Sequence, residues 1–343
     1  MQRLRVLVLL HDYQIPPPNV TAADLKGNAT WRTEYDVLKA LRNRPLRHHV
    51  EVVGVDDDLS VVQQANEVFK PHIAFNLLEA FHEVGSYDQN MVSYLELLRL
   101  PYAGCNPRGM ILARDKALSK QLLHSHGVAV PAFTVVGRGR KARLPKHMGF
   151  PVIVKSKTQE ASLGISQASV VTSEARMAER VQFVHDSIGT EAIVEEFIEG
   201  RELYCGVLGN DRLEVLPPFE MFFENMPQGQ HRIATERVKW SLAYQKKMKI
   251  MNGLADPMPE ATENRIRRIS GRVFKILQIN GFARVDLRLT PDGRIYVLEA
   301  NPNPQIARQE DFARSAECVG YSYPRLLQRI LNLGLRWRPD HAG

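Results

Sequence analysis

Hydrophobic and polar positions alternate between two periods along the first hundred residues. Short apolar runs that predict strands stand at 5–10, 49–56 and 72–78. Between and after them, apolar positions recur with helical spacing, near 34–43, 59–68 and 90–100. Alternating strands and helices are typical of an α/β fold with a parallel sheet that is covered on both faces.

The carboxyl ends of these strands are expected to meet a ligand. In open α/β sheets, ligands bind at that edge, so we expect contacts near Asp12, Asn76 and Glu79. A dinucleotide-binding fold is the first competitor. It is disfavoured because no GxGxxG follows the first strand.

A second unit is predicted to begin near Asn106. A helix within 113–131 carries Lys116 and Lys120, which are four residues apart and could form a solvated stripe. A short apolar strand then ends at Lys155, which either blunts a sheet edge or binds phosphate. The loop 159–166 (QEASLGIS) follows. Small residues there let backbone N–H groups approach phosphates closely.

The last third combines strands, an irregular segment and two helices. Residues 192–209 predict two strands around a short apolar link, and 221–256 is the least regular stretch, which suggests a lid or binding loop. Residues 322–333 predict a final helix, and 259–278 predict an amphipathic helix before it. The buried side of the amphipathic helix is expected to comprise Ile266, Ile269, Val273 and Ile276.

The stretch 281–305 is the most informative in the chain. Two strand-like runs flank a turn at Pro291–Gly293, which predicts a hairpin. Asp286 lies on the first strand, and Glu299 and Asn301 end the second, two apart and therefore on one face. Two carboxylates and an amide oxygen are hard ligands that suit Mg²⁺ bound between protein and phosphates. An ordinary hairpin with surface acids is the alternative.

Composition fits a globular enzyme of two or three packed units. The chain has 343 residues, a net charge of +7 and a pI near 9.3. Because the basic residues are scattered and not interleaved with aromatics, we interpret the charge as steering a nucleotide and aiding solubility, and we do not expect nucleic acid as a partner. Three distant cysteines support neither a zinc site nor a disulfide framework, so a reducing compartment fits best.

Neither the N-terminus nor the histidines form a targeting or metal motif. The apolar run at the N-terminus stops at His11-Asp12 without a cleavage site, and no run approaches a membrane span. We therefore expect a cytoplasmic protein with no membrane partner. The histidines do not show the spacing of a helical metal pair, and we interpret them as surface residues. They are His48, His49, His124 and His126.

These motifs together resemble the ATP-grasp enzymes, in particular their D-alanine–D-alanine ligase branch, over roughly 70–334. The family's Arg-x-Asp and Glu-x-Asn-Pro are matched by Arg284, Asp286, Glu299 and Asn301. The resemblance implies an ATP-grasp fold with an N-terminal parallel-sheet (pre-ATP-grasp) domain. It also implies that Asp, Glu and Asn bind two Mg²⁺, with Mn²⁺ as a possible substitute, while the Arg faces the transferred phosphoryl group.

The resemblance also implies the nucleotide contacts. It assigns phosphates to Lys116 and Lys155, and the phosphate-covering loop to Ser162 and Gly164. A lid lysine followed by an aromatic is matched by Lys239 and Trp240. The later Glu202 would bind the ribose. The alternative is a strand pair with salt-bridged acids, such as Glu202 with Arg201. The adenine hinge would comprise Glu195, Glu196, Phe197 and Ile198.

Departures from the family concern the substrates. The acidic pair expected after the first strand is replaced by HDYQIPPP, and the Ser-Leu pair after Asn-x-x-Pro by a charged segment. Its charged residues either contact a substrate more polar than D-alanine or form a solvated helix face. They are Arg308, Glu310, Asp311 and Arg314.

We therefore expect an ADP-forming ligase that joins a carboxylate to an amine through an acyl phosphate. The carboxylate and amine are small molecules, with an amino acid or peptide other than D-alanine as the expected substrate, and a homodimer is possible. A true D-alanine–D-alanine ligase, a kinase or carboxylase of this superfamily, and a non-catalytic nucleotide-binding module stay open. The expected domains are 1–105, a central subdomain at 106–192 with the phosphate loop, and 193–343 with the lid and the Mg²⁺ site.

Overall fold

The first sheet of the protein is parallel, with the strand order β2-β1-β3-β4. The structure is a computed structural model that describes residues 3–21, 24–26, 29–159 and 162–339. Its strands are β1 (Arg5–His11), β2 (His49–Val55), β3 (Ile73–Asn76) and β4 (Tyr102–Ala103). The helices among them are α1 (Arg32–Arg42), α2 (Ser60–Phe69) and α3 (Asp88–Leu97). The predicted alternation of strands and helices is confirmed.

Both faces of this sheet are covered, as the apolar strands predict. Alternate residues of a strand point to opposite faces. Val6 and Val8 therefore pack in one cluster with Val37 of α1, whereas Leu7 packs in another with Val62 of α2.

The second sheet is antiparallel, with the order β5-β8-β6-β7. Its elements, with the helices that precede and cover it, are α4 (Pro107–Arg114), α5 (Lys116–Ser125), β5 (Phe133–Val136), β6 (Val152–Ser156), β7 (Val170–Val171), α6 (Glu174–Phe183) and β8 (Ala192–Glu196). Val152 and Val154 pack with Val181 of α6 in the core. Lys155 alternates with them and points to the other face of the sheet.

The third sheet has the order β12-β11-β9-β13-β14, with β10 paired to β9. Its elements are β9 (Arg201–Gly209), β10 (Leu213–Val215), β11 (Phe219–Phe223), α7 (Glu236–Trp240), α8 (Leu242–Met248), β12 (Ile250–Leu254), α9 (Glu260–Ile276), β13 (Gly281–Leu289) and β14 (Ile295–Asn301). The predicted hairpin is β13–β14. The stretch 221–256, predicted to be the least regular, contains two short helices and β12.

The buried side of α9 differs from the predicted one. Ile266 and Val273 are fully buried, but Ser270 and Phe274 complete the buried side, while Ile269 and Ile276 are only partly buried. The helix packs on the apolar face of the third sheet. That packing, rather than apolar periodicity alone, selects the residues at the centre of the contact.

The C-terminal helices connect the sheets. They are α10 (Asp311–Glu317) and α11 (Tyr323–Arg336), so the predicted final helix extends three residues further. Leu327 and Ile330 of α11 pack in the core of the first sheet. A Cβ at Gly334 would lie 2.1 Å from the Tyr102 carbonyl oxygen, so only glycine permits this close approach of α11 to β4. The expected domain boundaries stay a prediction.

His48 contradicts its interpretation as a surface residue. It is 5% exposed, its Nε2 lies 2.9 Å from Gln328 Oε1 of α11, and its Nδ1 accepts a hydrogen bond from the Leu4 N–H at 3.2 Å. The remaining three histidines of that group are exposed. Through the described part of the chain, no helix is long and apolar enough to cross a membrane.

Candidate functional site

One face of the third sheet carries the four residues predicted at the hairpin. In the β13–β14 register, Asp286 pairs with Glu299 and Arg284 pairs with Asn301. Directly opposed residues of an antiparallel pair share a face, as do residues two apart on one strand. The backbone therefore brings all four side chains to the same face.

Arg284 and Asp286 form a bidentate pair on this face. The guanidinium Nε donates to Asp286 Oδ1 at 2.7 Å and Nη2 donates to Oδ2 at 2.9 Å. Burial raises the pKa of Asp286 although Arg284 opposes it, and the nearby Glu299 carboxylate raises it further. Because like charges at close range disfavour ionisation, an added cation between the two carboxylates would relieve this cost.

Three lysines surround Glu299. The Lys116 Nζ lies 3.6 Å from Glu299 Oε2 and donates to the Gln159 carbonyl at 2.7 Å. Burial would raise the pKa of Glu299, but Lys116, Lys155 and Lys239 outweigh it and hold that pKa well below its usual range. The carboxylate is therefore ionised and lies in a strongly positive environment.

Lys155 and Lys120 share the carboxylate of Glu195. Lys155 Nζ lies 3.0 Å from Oε2, and Lys120 Nζ lies 3.4 Å from Oε1. Lys120 also donates to the Leu298 carbonyl. The alternative of a solvated lysine stripe is wrong, because both Lys116 and Lys120 are buried. The Glu195 carboxylate is turned inward between the lysines.

The other hinge residues differ in exposure. Glu196 is exposed, Ile198 is buried, and Phe197 is half-buried with its ring edge-on to His231 at 4.8 Å between centroids. His231 belongs to the segment before α7. The predicted hinge therefore places an aromatic ring against the predicted lid.

Glu202 does not pair with Arg201. Its Oε2 accepts from Arg288 Nη2 at 2.6 Å, and its Oε1 accepts from the Tyr204 hydroxyl at 2.8 Å. Arg201 instead pairs with Glu220 at 2.6 Å. The example pair with Arg201 is therefore wrong, but Glu202 is a salt-bridged acid with Arg288 as its partner, so that alternative stays open. In this structure both carboxylate oxygens of Glu202 have a protein partner.

The predicted phosphate loop and the predicted lid are hydrogen-bonded to each other. Ser162 and Gly164 have φ of 60° and 69°, and the Gly164 N–H donates to Glu236 Oε2 at 2.8 Å. The Glu236 N–H donates to the Ile165 carbonyl at 2.9 Å. Lys239 lies one turn further along α7 and lines a cavity that Arg284 and Glu299 also line. Residues 160 and 161 of the predicted loop lie outside the described residues.

A cavity of about 530 Å³ adjoins these groups. Residues far apart in sequence line it: Glu79, Lys116, Lys239, Arg284, Glu299 and Asn301. Of the three contacts expected at the first sheet, Glu79 is among the lining residues. Asp12 accepts from the Tyr13 N–H at 2.6 Å, and buried Asn76 accepts from the Leu78 N–H at 3.3 Å.

Two of the four charged residues after β14 also line this cavity. Glu310 is half-buried and Asp311 is 6% exposed, whereas Arg308 and Arg314 are exposed. Burial raises the pKa of both carboxyls, and Asp311 adds to the effect on Glu310. Asp311 Oδ2 accepts from the Asn252 amide at 3.0 Å. A solvated helix face is therefore wrong for Asp311.

Sequence reasoning missed several residues of the site. Tyr204, Glu236 and Arg288 gave no motif signal of their own, and Lys120 suggested only a stripe with Lys116. Lys120, Glu236 and Arg288 acquire their roles from partners distant in sequence. Among the described residues, no three His, Cys, Asp or Glu side chains come together as a metal-binding group. The predicted metal set contains two carboxylates and one amide. All site roles stay predictions.

Known proteins resemble this chain over most of its length. A family model described as D-ala D-ala ligase C-terminus matches residues 122–332. An uncharacterized protein, y4sG, of Sinorhizobium fredii is 32% identical over 265 residues, 77% of this chain and 75% of that protein. A D-alanine–D-alanine ligase of Syntrophotalea carbinolica is 30% identical over 302 residues, 85% of this chain and 88% of that ligase.

A solved structure extends the similarity to the fold. D-alanine–D-alanine ligase from Bacillus anthracis complexed with ATP has a TM-score of 0.74 and 20% identity, over 97% of this chain and 98% of that one. The expected ATP-grasp fold is therefore confirmed. Because the family model covers more than half of the chain, this protein belongs to the D-alanine–D-alanine ligase family of ATP-dependent, peptide-bond-forming ligases.

Proposed function

We propose that this chain ligates a carboxylate to an amine through an acyl phosphate, with ATP as the phosphoryl donor. One observation carries the proposal: Arg284, Asp286, Glu299 and Asn301 share one sheet face beside a cavity. Phosphoryl transfer needs in-line positioning and charge neutralisation more than covalent help from the protein. A face with hard oxygen donors and cations suits that need.

The donor set of this face fits Mg²⁺. Asp286, Glu299 and Asn301 supply oxygens, and Mg²⁺ is usually bound by one or two carboxylates together with substrate phosphates. We expect two ions, with Mn²⁺ as a substitute. When bound, the ions neutralise charge on the phosphates.

The remaining residues bind and orient ATP. Lys116 and Lys155 face the phosphates as point charges, and Lys239 on the lid adds a third. The segment from Glu195 to Ile198, with Glu202, adjoins the adenosine. For Glu202 to bind the ribose hydroxyls, a ribose oxygen must share the carboxylate with its present partners.

Two bond exchanges follow. A carboxylate oxygen of the substrate attacks the γ-phosphorus, the bond to the β–γ bridging oxygen breaks, and ADP leaves. The amine nitrogen then attacks the acyl carbon, the acyl C–O bond breaks with its electron pair on the departing phosphate, and the nitrogen loses a proton. Arg284 stabilises negative charge on the transferring group and on the tetrahedral oxyanion.

The cavity favours a polar substrate. Glu310 and Asp311 bring two carboxylates to its wall, and a buried carboxylate is costly unless a cation meets it. We infer that the amine or carboxylate substrate is larger and more polar than D-alanine and presents a cation there. D-alanine–D-alanine ligation is the second candidate, because curated relatives carry that name.

An assay of phosphate release tests the function. The protein is incubated with ATP, Mg²⁺ and a panel of amino acids and short peptides, and the products are identified by mass spectrometry. An amide product with ADP is expected, whereas a phosphorylated product would indicate a kinase.

ATP should also raise the melting temperature of the protein, and Lys155→Ala should reduce that shift. A shift with GTP or NAD but not with ATP would refute the nucleotide site.

Competition between D-alanine and cationic amino acids or dipeptides tests the substrate. Glu310→Ala and Asp311→Ala should weaken selection of the cationic substrate. Glu317→Ala removes an exposed acid from α10 and is the matched control. Efficient D-alanyl-D-alanine synthesis that neither cavity substitution affects would support the second candidate instead.

A further inference from the structure

Lys120 is a fully buried cation that the catalytic scheme does not use. It is 1% exposed and lies on α5, one helical turn after Lys116. A buried ammonium is expensive unless it is paired and hydrogen-bonded. Lys120 meets both conditions, since its Nζ donates to the Leu298 carbonyl and lies 3.4 Å from Glu195 Oε1.

The Glu195 carboxylate lies between two cations. Its other oxygen is 3.0 Å from Lys155 Nζ, so Lys120, Glu195 and Lys155 together carry a charge of +1. Burial lowers the pKa of Lys120 to about 8, although Glu195 opposes this. Burial also acts to lower the pKa of Lys155, but Glu195 and Glu299 outweigh it and raise that pKa. Both lysines are therefore predominantly protonated at neutral pH.

The backbone contact of Lys120 lies at an irregularity in the hairpin. Asp286 pairs with Glu299, but the next pair is Leu287 with Val297, so Leu298 has no opposite residue. A bulge of this kind leaves a residue outside the ladder and re-aims its neighbours. Lys120 bonds the carbonyl of that residue, immediately before Glu299.

We propose that Lys120 is a positioning residue with two separable effects. It neutralises Glu195, so that the charge of Lys155 acts on the nucleotide and is not cancelled. It also fixes the bulge at Leu298 and thereby the position of Glu299. Lys120 itself touches no substrate. The inference rests on the proposed function, because it assumes that Lys155 binds ATP.

Charge-matched variants separate the two effects. Lys120→Met leaves Glu195 paired with Lys155 alone, so the charge of the cluster falls to zero, and ATP should bind about tenfold more weakly. Lys120→Met with Glu195→Gln returns the cluster to +1. The substituted carboxylate lies between the two lysines, and the backbone at 195 is kept, so ATP affinity should recover to within about threefold of wild type. In both variants kcat should be lower than in the wild type, because neither variant has a donor to the Leu298 carbonyl.

The measurements are the ATP dissociation constant by calorimetry, KM and kcat, and the melting temperature of each variant. Lys157→Met is the matched control, because Lys157 pairs with Asp115 and Glu191 only two residues after Lys155. It should change ATP affinity less than about twofold. If Lys120→Met does not fold, Lys120→Gln supplies the neutral side chain.

Two results would overturn the inference while the proposed function stands. One is a double variant that binds ATP no better than Lys120→Met, which would reduce Lys120 to a packing residue. The other is unchanged KM and kcat in Lys120→Met. If Lys155→Ala leaves ATP binding intact, the proposed nucleotide site itself fails, and the inference fails with it.

Discussion

A buried ion pair joins the hairpin β13–β14 to the predicted hinge segment and the predicted lid. Arg288 donates to Glu202 Oε2 at 2.6 Å, and the two side chains are 5% and 8% exposed. The same guanidinium donates to the Gly200 carbonyl at 2.8 Å and to the Arg232 carbonyl at 2.9 Å. Arg288→Met removes these bonds and leaves the Glu202 carboxylate buried without its cation.

The expected cost follows from that orphaned charge. Removal of one partner from a buried ion pair costs about 3–5 kcal/mol. We expect the lower end, ~3 kcal/mol, because the Tyr204 hydroxyl still donates to Glu202 at 2.8 Å. At roughly 2–4 °C per kcal/mol for a cooperative unit of about 150–250 residues, the size of the predicted unit 193–343, Arg288→Met should lower the melting temperature by about 6–12 °C.

Thermal unfolding followed by circular dichroism measures this cost, and the same hairpin supplies a control. Arg294 pairs with Asp292 at 2.7 Å, but those side chains are 66% and 56% exposed. Arg294→Met should therefore cost less than about 1 kcal/mol. Equal melting temperatures for the two variants would refute the reasoning.

A double variant identifies the source of the loss. Replacement of both partners, by Arg288→Met with Glu202→Leu, removes the buried carboxylate together with its cation. A buried pair replaced by apolar residues is often no less stable. We expect most of the lost stability to return. A double variant as unstable as Arg288→Met would assign the loss to the two backbone carbonyls instead.

Three further predictions concern carboxylates. Glu299→Gln should abolish most ligase activity at saturating Mg²⁺ with little change in melting temperature; near-normal turnover would refute the metal site. Glu236→Ala should lower KM for ATP about threefold to tenfold, because it frees the Gly164 N–H for phosphate, whereas Glu224→Ala, on an exposed acid, should not. Burial raises the pKa of Glu34 from 4.5 to about 7, so the folded state binds more protons between these values and stability falls as pH rises through them. Glu34→Gln should therefore stabilise the protein by ~3 kcal/mol at pH 8 and leave it unchanged near pH 4, as urea unfolding at the two pH values would measure.

The sequence by itself determined the features that depend on local spacing. The pleat places residues two apart on one face, so Arg284 and Asp286, or Glu299 and Asn301, could be grouped before any tertiary contact was known. The turn at Pro291–Gly293 paired their strands. The alternation of strands and helices likewise predicted the parallel first sheet, since buried parallel strands read as continuous apolar runs.

Only the tertiary structure decided which charges are buried and what they meet. Lys120 and Leu298 are 178 residues apart, and His48 and Gln328 are 280 apart. No local period links such positions, so a buried lysine and a solvated one look alike in the sequence. Their difference arises when packed sheets exclude water, because an enclosed charge must then find a partner wherever the fold brings one within reach.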